Sequence, residues 1–145
     1  MFRGNYPTRV DEKGRIKVPA DFKRLVDEKY GTQFYITSKD GAVALVYPLE
    51  EWQRIEEKIA KLSDFNPSKR KFLNKVNYYG QVAEIDAQGR LLLPQILRES
   101  ADLKAEVTVQ GNLTYLEVRN RAVSEVLANE PFTAEDAKVL EDNGI

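Results

Sequence analysis

Short runs rich in apolar β-branched and aromatic residues, separated by polar or glycine-containing turns, predict two pairs of strands along the chain. Residues 34–37 and 43–47 predict two strands around a turn at Lys39-Asp40-Gly41, and residues 106–109 and 114–118 predict two more around Gly111-Asn112. A helical spacing of apolar residues follows each pair, over 49–62 in the first case and over 122–127 in the second. The two halves of the chain therefore predict the same order of elements.

A polar tract in the first half returns in the second half in the same register. Residues 11–19 read DEKGRIKVP and residues 86–94 read DAQGRLLLP, so Asp, Gly, Arg and Pro are each displaced by 75 positions, as from Asp11 to Asp86. Matching residues of such different chemistry indicate an internal duplication. The strand pairs are displaced by only about 71 positions, so we expect a shorter helix or loop in the second copy after Pro94.

Each tract has the chemistry of a tight turn between two short strands. Gly14 and Gly89 supply the positive φ that closes a three-residue turn. An Asp and an Arg then stand opposite each other at the base of each turn, where they can form an ion pair. The proline that ends each tract lacks an N–H, so it should end the second strand and start a short helix. One such hairpin cannot bury both of its faces, so the two copies are expected to interleave around one small core.

The segments between and after the two copies are predicted to be helical. Asn66 and Pro67 form a strong helix start, and that helix carries the cations Lys69, Arg70, Lys71 and Lys75. It is either a linker with a solvated basic face or a contributor to anion binding. Past residue 128 the chain becomes acidic, and the run from Thr133 to Asp136 resembles a capping box. We therefore divide the chain into a first repeat (5–50), linking helices (51–78), a second repeat (79–122) and an acidic C-terminal tail (123–145).

Composition narrows the classes of function open to the chain. No apolar run approaches the roughly 20 residues that span a bilayer, and no signal peptide is recognised, so we expect a soluble cytoplasmic protein without membrane association. The chain has no cysteine and no histidine, which removes thiolate nucleophiles, the commonest metal ligands and the commonest general base. We therefore expect no enzyme activity, no cofactor, no metal and no small-molecule substrate. A hydrolase that uses only carboxylates stays open, although each repeated Asp sits beside an Arg that would hold it ionised.

The net charge of −1 hides a basic N-terminal end. Residues 1–24 contain seven cations against three anions, a local net charge of +4. Five of these cations are predicted to lie in or around the first turn, as a compact patch for phosphates and base edges: Arg3, Arg9, Lys13, Arg15 and Lys17. The second copy keeps only Arg90 of this set. We therefore expect the first copy to make the stronger contact and the second to pack or to bind more weakly.

A series of short motifs occurs in a fixed order along the chain. Met-Phe-Arg-Gly at 1–4 precedes the first tract, and it is followed by Tyr47-Pro48, Glu51-Trp52, Asn66-Pro67, the second tract and Leu97-Arg98. From residue 1 to about 127 this order resembles the MraZ family of bacterial transcriptional regulators, whereas the tail after Asn129 has no counterpart in that pattern. The resemblance implies an α+β, mainly β fold, in which duplicated swapped-hairpin modules of the SpoVT-AbrB type, with interspersed helices, form a pseudo-twofold barrel.

The resemblance also implies a function and a set of site residues. It implies a ring-shaped homo-oligomer that binds double-stranded DNA at direct repeats in the promoter of the division and cell-wall gene cluster, in the cytoplasm and at the nucleoid. The residues expected to bind DNA are Arg3, Lys13, Arg15 and Arg90. Those expected to shape the hairpins are Asp11, Gly14, Asp86 and Gly89.

Two other interpretations stay open at this point. The chain could be an oligomeric protein-interaction scaffold whose basic patch meets an acidic partner, or an AbrB-type antitoxin that binds a toxin through its tail. Phe34, Tyr47 and Trp52 are expected in the core or in a subunit interface. The apolar stripe at Trp52, Ile55 and Ile59 favours an oligomer, because it exceeds what two small modules are expected to cover.

Overall fold

The first repeat and the linking segment contain four strands and three helices. The computed structural model describes residues 1–145. The first strands and helix are β1 (Asn5–Arg9), β2 (Arg15–Lys17) and α1 (Ala20–Lys29), and a further strand pair follows as β3 (Gln33–Thr37) and β4 (Ala44–Pro48). Two helices then come in succession, α2 (Leu49–Ala60) and α3 (Pro67–Tyr78). The predicted start of α3 is confirmed, because the Asn66 side chain accepts hydrogen bonds from the first-turn amides of Ser68 and Lys69.

The second repeat follows the same order. Its elements are β5 (Gln81–Glu84), β6 (Arg90–Leu92), α4 (Gln95–Ser100), β7 (Glu106–Asn112), β8 (Tyr115–Asn120) and α5 (Arg121–Ala128), and α6 (Ala134–Asp142) ends the chain. The shorter helix expected after Pro94 is confirmed, because α4 has 6 residues where α1 has 10. The fold is α+β, with eight strands and six helices. None of these helices is both long enough and apolar enough to cross a membrane.

The strands form one large antiparallel sheet and one small ribbon. The order in the large sheet is β1-β7-β8-β4-β3-β5, and β2 pairs with β6 alone. When each strand is exchanged for its counterpart in the other repeat, the large sheet keeps the same order read from its other end. The strand order is therefore symmetric when the two halves of the chain are exchanged.

The repeats exchange strands instead of forming separate hairpins. The tight turn after β1 is present, since the Asp11 amide donates to the Arg15 carbonyl at 2.9 Å. Beyond that turn β1 pairs with β7 and β2 pairs with β6, so the expectation that β1 and β2 form one hairpin ladder is wrong. β2 and β6 have three residues each, too few to bury a face alone. Their central residues, Ile16 and Leu91, pair with each other and are fully buried.

The turn predicted at Gly111-Asn112 lies further along the chain. Both residues belong to β7, and the reversal occurs at Leu113, whose φ is +66°. Gly111 is instead a site of close approach, because a Cβ there would lie 2.4 Å from the Arg3 amide nitrogen. The Gly111 amide donates to the Gly4 carbonyl at 2.8 Å. The glycine therefore makes room for the N-terminal segment.

Both repeats contribute to one main core, and a smaller cluster lies under α2 and α3. The main core contains 20 buried residues, among them Phe2, Phe34 and Leu91. The smaller cluster contains Tyr47 and Trp52. Trp52 is only 4% exposed, so its assignment to an interface stripe is wrong and its assignment to the core is confirmed.

Candidate nucleic-acid interface

The β2–β6 ribbon presents a basic face to solvent. Its register pairs Arg15 with Leu92 and Lys17 with Arg90, on either side of the buried central pair. Side chains alternate between the two faces of a strand, so these four residues share the outward face. Leu92 is 48% exposed and Lys17 is exposed. The exchange of strands has thus brought two cations from the first repeat beside one from the second.

The first turn holds its carboxylate with several donors. Asp11 Oδ1 accepts from the amides of Lys13 at 3.0 Å and Arg15 at 2.8 Å, and Asp11 Oδ2 accepts from Arg15 Nε at 2.8 Å. The Arg15 amide, together with the Arg15 guanidinium, lowers the pKa of the Asp11 carboxyl below its usual range, although partial desolvation opposes the shift. Asp11 is therefore a fixed anchor for Arg15.

The second turn repeats this geometry. Asp86 Oδ1 accepts from the amides of Gln88 and Arg90, both at 2.9 Å, and Asp86 Oδ2 accepts from Arg90 Nε at 3.0 Å. The Arg90 amide is the main cause of a lowered pKa at the Asp86 carboxyl. In both turns only Nε of the arginine is engaged. The outer guanidinium nitrogens of Arg15 and Arg90 remain available for a planar anion or a base edge.

Each turn is anchored in the opposite repeat through its glycine. Gly14 and Gly89 have φ values of +85° and +77°, as predicted. The Leu93 amide donates to the Gly14 carbonyl at 3.0 Å, and the Val18 amide donates to the Gly89 carbonyl at 2.8 Å. Both glycines are buried. These reciprocal hydrogen bonds fix the two turns relative to the ribbon.

Further cations surround the two turns. Arg98 and Lys104 line a surface depression beside the first turn, together with Glu12 and Glu99. Lys23 and Arg24 line a corresponding depression beside the second turn. Sequence reasoning did not propose Arg98 as a site residue. The signal was nonetheless present, because Arg98 lies 75 positions after Lys23, the same displacement as in the repeated tract.

The five-cation patch expected at the first turn is only partly formed. Lys13 is exposed in the turn, whereas Arg3 lies at the opposite end of β1, in a depression that it shares with Asp21 and Arg24. Arg9 faces Glu106 across the sheet, with Nη1 at 3.8 Å from the carboxylate. β1 separates Arg3 from the first turn, because a strand carries its residues apart at about 3.3 Å per residue, so the expectation that Arg3 joins the patch at that turn is wrong. Arg9 lies just before the turn, and its place in the patch stays a prediction.

Comparison with known proteins finds a family model that matches most of the chain. A family model described as "MraZ protein, putative antitoxin-like" matches residues 1–75 and 81–143. The chain belongs to the MraZ family. The match reaches residue 143, so the view that the tail lacks a counterpart in MraZ proteins is wrong.

Individual MraZ relatives cover the chain to different extents. A protein of Acidobacterium capsulatum is 60% identical over 146 residues, and one of Koribacter versatilis is 57% identical over 150 residues, with 100% of both chains covered in each case. A protein of Shewanella frigidimarina is 39% identical over 119 residues, which cover 81% of this chain and 78% of the relative. Each is named transcriptional regulator MraZ.

Proposed function

We propose that this chain is a sequence-specific, DNA-binding transcription regulator whose contact surface is the outward face of the β2–β6 ribbon with its two turns. The observation that carries the proposal is the register of the ribbon, in which Arg15, Lys17 and Arg90 share one exposed face. The names of the relatives as transcriptional regulators support it.

A two-stranded ribbon has dimensions suited to DNA. The major groove of B-DNA is about 12 Å wide and admits a two-stranded β-ribbon. Arg15 and Arg90 would direct their outer guanidinium nitrogens at base edges or phosphates, because Nε of each is already held by an Asp. Lys13 and Lys17 would bind phosphates as point charges. Arg3 lies at the other end of β1 from the first turn, in a depression shared with Arg24, and would contact a phosphate there.

The proposal extends to the fold and to the residues that shape the turns. We propose two SpoVT-AbrB-like repeats over 5–50 and 79–122, joined by linking helices over 51–78 and followed by the acidic tail over 123–145, with the strands closing a swapped-hairpin, pseudo-twofold barrel. The strand exchange between β1 and β7, and between β3 and β5, supports this arrangement. Asp11, Gly14, Asp86 and Gly89 act in it as structural residues of the turns.

The proposed active form is a ring of several copies. One ribbon offers few cations, so a single unit should bind weakly and with a shallow salt dependence. Several ribbons held at fixed separation on one ring would convert weak contacts into avidity at direct repeats. Following the family resemblance, we place these repeats in the promoter of the division and cell-wall gene cluster, and the protein in the cytoplasm at the nucleoid.

A titration against designed DNA tests this function. DNA from upstream of the chain's own coding region would carry one, two or three copies of the repeat, each at two spacings, at one stated ionic strength. We expect affinity to rise steeply with copy number and to depend on spacing. Affinity that depends on neither would contradict the ring, and equal binding to scrambled DNA would contradict sequence-specific regulation.

A further inference from the structure

Arg98, in the last turn of α4, lies directly against the glycine of the first turn. A Cβ built on Gly14 would lie 2.6 Å from Arg98 Nε, so the guanidinium occupies the space that a side chain there would need. Arg98 Nε donates to the Leu93 carbonyl at 3.1 Å, and the Leu93 amide donates to the Gly14 carbonyl at 3.0 Å. Leu93 therefore connects Arg98 to the turn that carries Lys13 and Arg15.

The main core fixes Arg98 in this place. Leu97, the residue before it, is fully buried in that core. The Arg98 carbonyl accepts from the amide of Leu103 at 2.9 Å, and Leu103 is fully buried as well. Arg98 itself is half-buried. A side chain whose backbone is held in this way can support a neighbouring functional residue.

The matching residue of the first repeat, Lys23, makes a much looser contact with the second turn. Lys23 and Arg98 are 75 positions apart, as are the residues of the repeated tract. A Cβ built on Gly89 would lie 3.9 Å from Lys23 Cε, which is ordinary van der Waals distance. Lys23 Nζ instead donates to the carboxylate of Asp27 at 2.6 Å. The second turn therefore lacks the close guanidinium contact of the first turn.

The shorter helix of the second repeat explains this difference. The position that matches Asp27 is Asp102, which lies beyond the end of α4 with a φ of +53°. The Asp102 carboxylate accepts from Asn120 Nδ2 at 3.3 Å. Arg98 forms no ion pair with any carboxylate of the chain. No acid therefore draws the guanidinium away from the first turn.

The charges around Arg98 do not favour a phosphate as its own ligand. The depression that contains Arg98 and Lys104 is also lined by Asp11, Glu12 and Glu99. Carboxylates therefore outnumber cations in this depression, and they would repel an anion. The contacts of Arg98 support a role that it exerts on the turn itself.

We propose that Arg98 is a positioning residue, which holds the first turn in the shape in which Lys13 and Arg15 meet DNA and thereby sets the sequence preference of the ribbon. Base discrimination by an arginine depends on the orientation of its planar fork, whereas a phosphate contact by a lysine tolerates displacement. Rigid support therefore matters more for base discrimination than for general affinity. This inference rests on the proposed function and assigns the sequence preference to the first turn.

Arg98→Ala and Lys23→Ala form a matched pair for a test with DNA. Each full chain is titrated with upstream DNA and with scrambled DNA of the same composition, at several salt concentrations. Arg98→Ala should lower the preference for upstream DNA about tenfold, because a misaligned arginine loses its base discrimination. The salt dependence should not change, because no phosphate contact is lost. Lys23→Ala should keep the preference.

The ratio of the two affinities separates positioning from general stability. Loss of folded protein lowers binding to both DNAs equally, so a destabilised variant keeps the ratio. A wild-type preference that Arg98→Ala retains would overturn the positioning role and leave the proposed function intact. A wild-type chain without any preference would contradict the proposed function itself.

Arg98→Lys separates position from charge. Lysine keeps the positive charge and loses both Nε and the planar guanidinium, so this variant should lose the preference as Arg98→Ala does. A preference that lysine restores, together with a shallower salt dependence in Arg98→Ala, would identify Arg98 as a phosphate contact and would overturn the proposal.

Amide hydrogen exchange tests the support of the turn without DNA. The Leu93 amide donates to the Gly14 carbonyl, and the Val18 amide makes the matching hydrogen bond to the Gly89 carbonyl. Arg98→Ala in the full chain should speed exchange of the Leu93 amide several-fold relative to the Val18 amide. Lys23→Ala is the control and should leave the ratio of the two rates unchanged. A ratio that Arg98→Ala also leaves unchanged would overturn the proposal.

Discussion

Lys17 and Arg90 face each other across the β2–β6 ribbon, one from each repeat. Like charges directly opposite in a sheet destabilise it. Asp86 offsets the charge of Arg90, whereas Lys17 forms no ion pair with any carboxylate of the chain. The fold thus keeps Lys17 at a position where an uncharged side chain would be more stable. This arrangement favours an anionic ligand as the partner of Lys17.

Lys17→Leu tests whether that cation serves binding. Leucine is the residue that the second repeat has at the matching position, Leu92, so the ribbon should accept it. We expect weaker DNA binding. The slope of log affinity against log salt concentration should become shallower by about 0.9 per lost phosphate contact. The thermal midpoint should not decrease, because a like-charge pair is removed. Affinity titrations at several salt concentrations measure the first two, and a thermal melt measures the third.

Leu92→Lys is the matched reverse change. It places a cation at the twofold-related position, opposite Arg15. The salt dependence should become steeper by a similar amount. If neither variant changes the salt dependence, the ribbon face does not contact phosphates.

Arg15→Ala should weaken DNA binding more than Arg90→Ala. The first turn also has the exposed cation Lys13, where the second turn has the neutral Gln88. Lys17 lies opposite Arg90 and reduces the difference in binding between the two variants. A bidentate arginine contact contributes about 1–3 kcal/mol of discrimination between bases. The free energy of unfolding should fall by less than about 1 kcal/mol in each case, because each ion pair is partly solvent-exposed.

Arg15→Lys is the control, since it keeps the charge and loses the planar fork. Binding and denaturation are measured on the same preparations. Equal losses from Arg15→Ala and Arg90→Ala would contradict the specialisation of the two repeats. Unfolding by Arg15→Ala would mean that the residue is structural.

Gly14→Ala should destabilise the protein more than Gly89→Ala. Both positions have positive φ, which costs a non-glycine residue about 1–2 kcal/mol. A Cβ at Gly14 would also lie 2.4 Å from Arg98 Cζ, whereas at Gly89 the nearest atom is Lys23 Cε at 3.9 Å. Displacing Arg98 breaks its Nε hydrogen bond to the Leu93 carbonyl, a further loss of about 0.5–1.5 kcal/mol. Urea denaturation of both variants measures the difference, and equal losses would show that Arg98 moves freely.

The two turn carboxylates should make stability depend on acid pH. The folded-state pKa of Asp11 and of Asp86 is lowered, so the unfolded chain binds more protons in that range. Their contribution to the free energy of unfolding is fully present at pH values above the usual carboxyl pKa. It is lost as the pH falls through the lowered pKa of the folded state. Asp11→Asn with Asp86→Asn should therefore lower the free energy of unfolding at neutral pH and flatten its decline in acid. Denaturation at a series of pH values tests this, with Asp142→Asn as the control, and an unchanged decline would contradict it.

Local features of the fold could be predicted from the sequence because they depend on neighbouring residues. Glycine conformation at Gly14 and Gly89, the Asn66 cap and the capping box at Thr133 are all interactions within a few positions. The repeated tract is compatible with β2 pairing with β1 or with β6, and the packing of the whole chain decides between them.

The same limit applies to the candidate site. Cations close in sequence, such as Arg3 and Lys13, are separated by a strand, while Lys17 and Arg90 are distant in sequence and adjacent in space.

Trp52 illustrates a further limit of periodicity. An apolar stripe on a helix indicates that a face is covered, without indicating whether the same chain covers it. Here Tyr35 stacks on Trp52 at 4.8 Å, and Phe72 covers it from α3. The helix that lacks such cover is α5, which the sequence did not distinguish from α2.

The most direct test of the DNA contact is photo-cross-linking from the ribbon. A single cysteine at Leu92, on the outward face, would carry a photoactivatable group, and Val139→Cys with the same group is the control at an exposed site in the acidic helix α6. With both labelled proteins bound to upstream DNA, we predict cross-links to bases from position 92 and none above background from position 139. Bound DNA that cross-links equally from both positions, or only from position 139, would contradict the assignment of the β2–β6 ribbon as the DNA-binding surface.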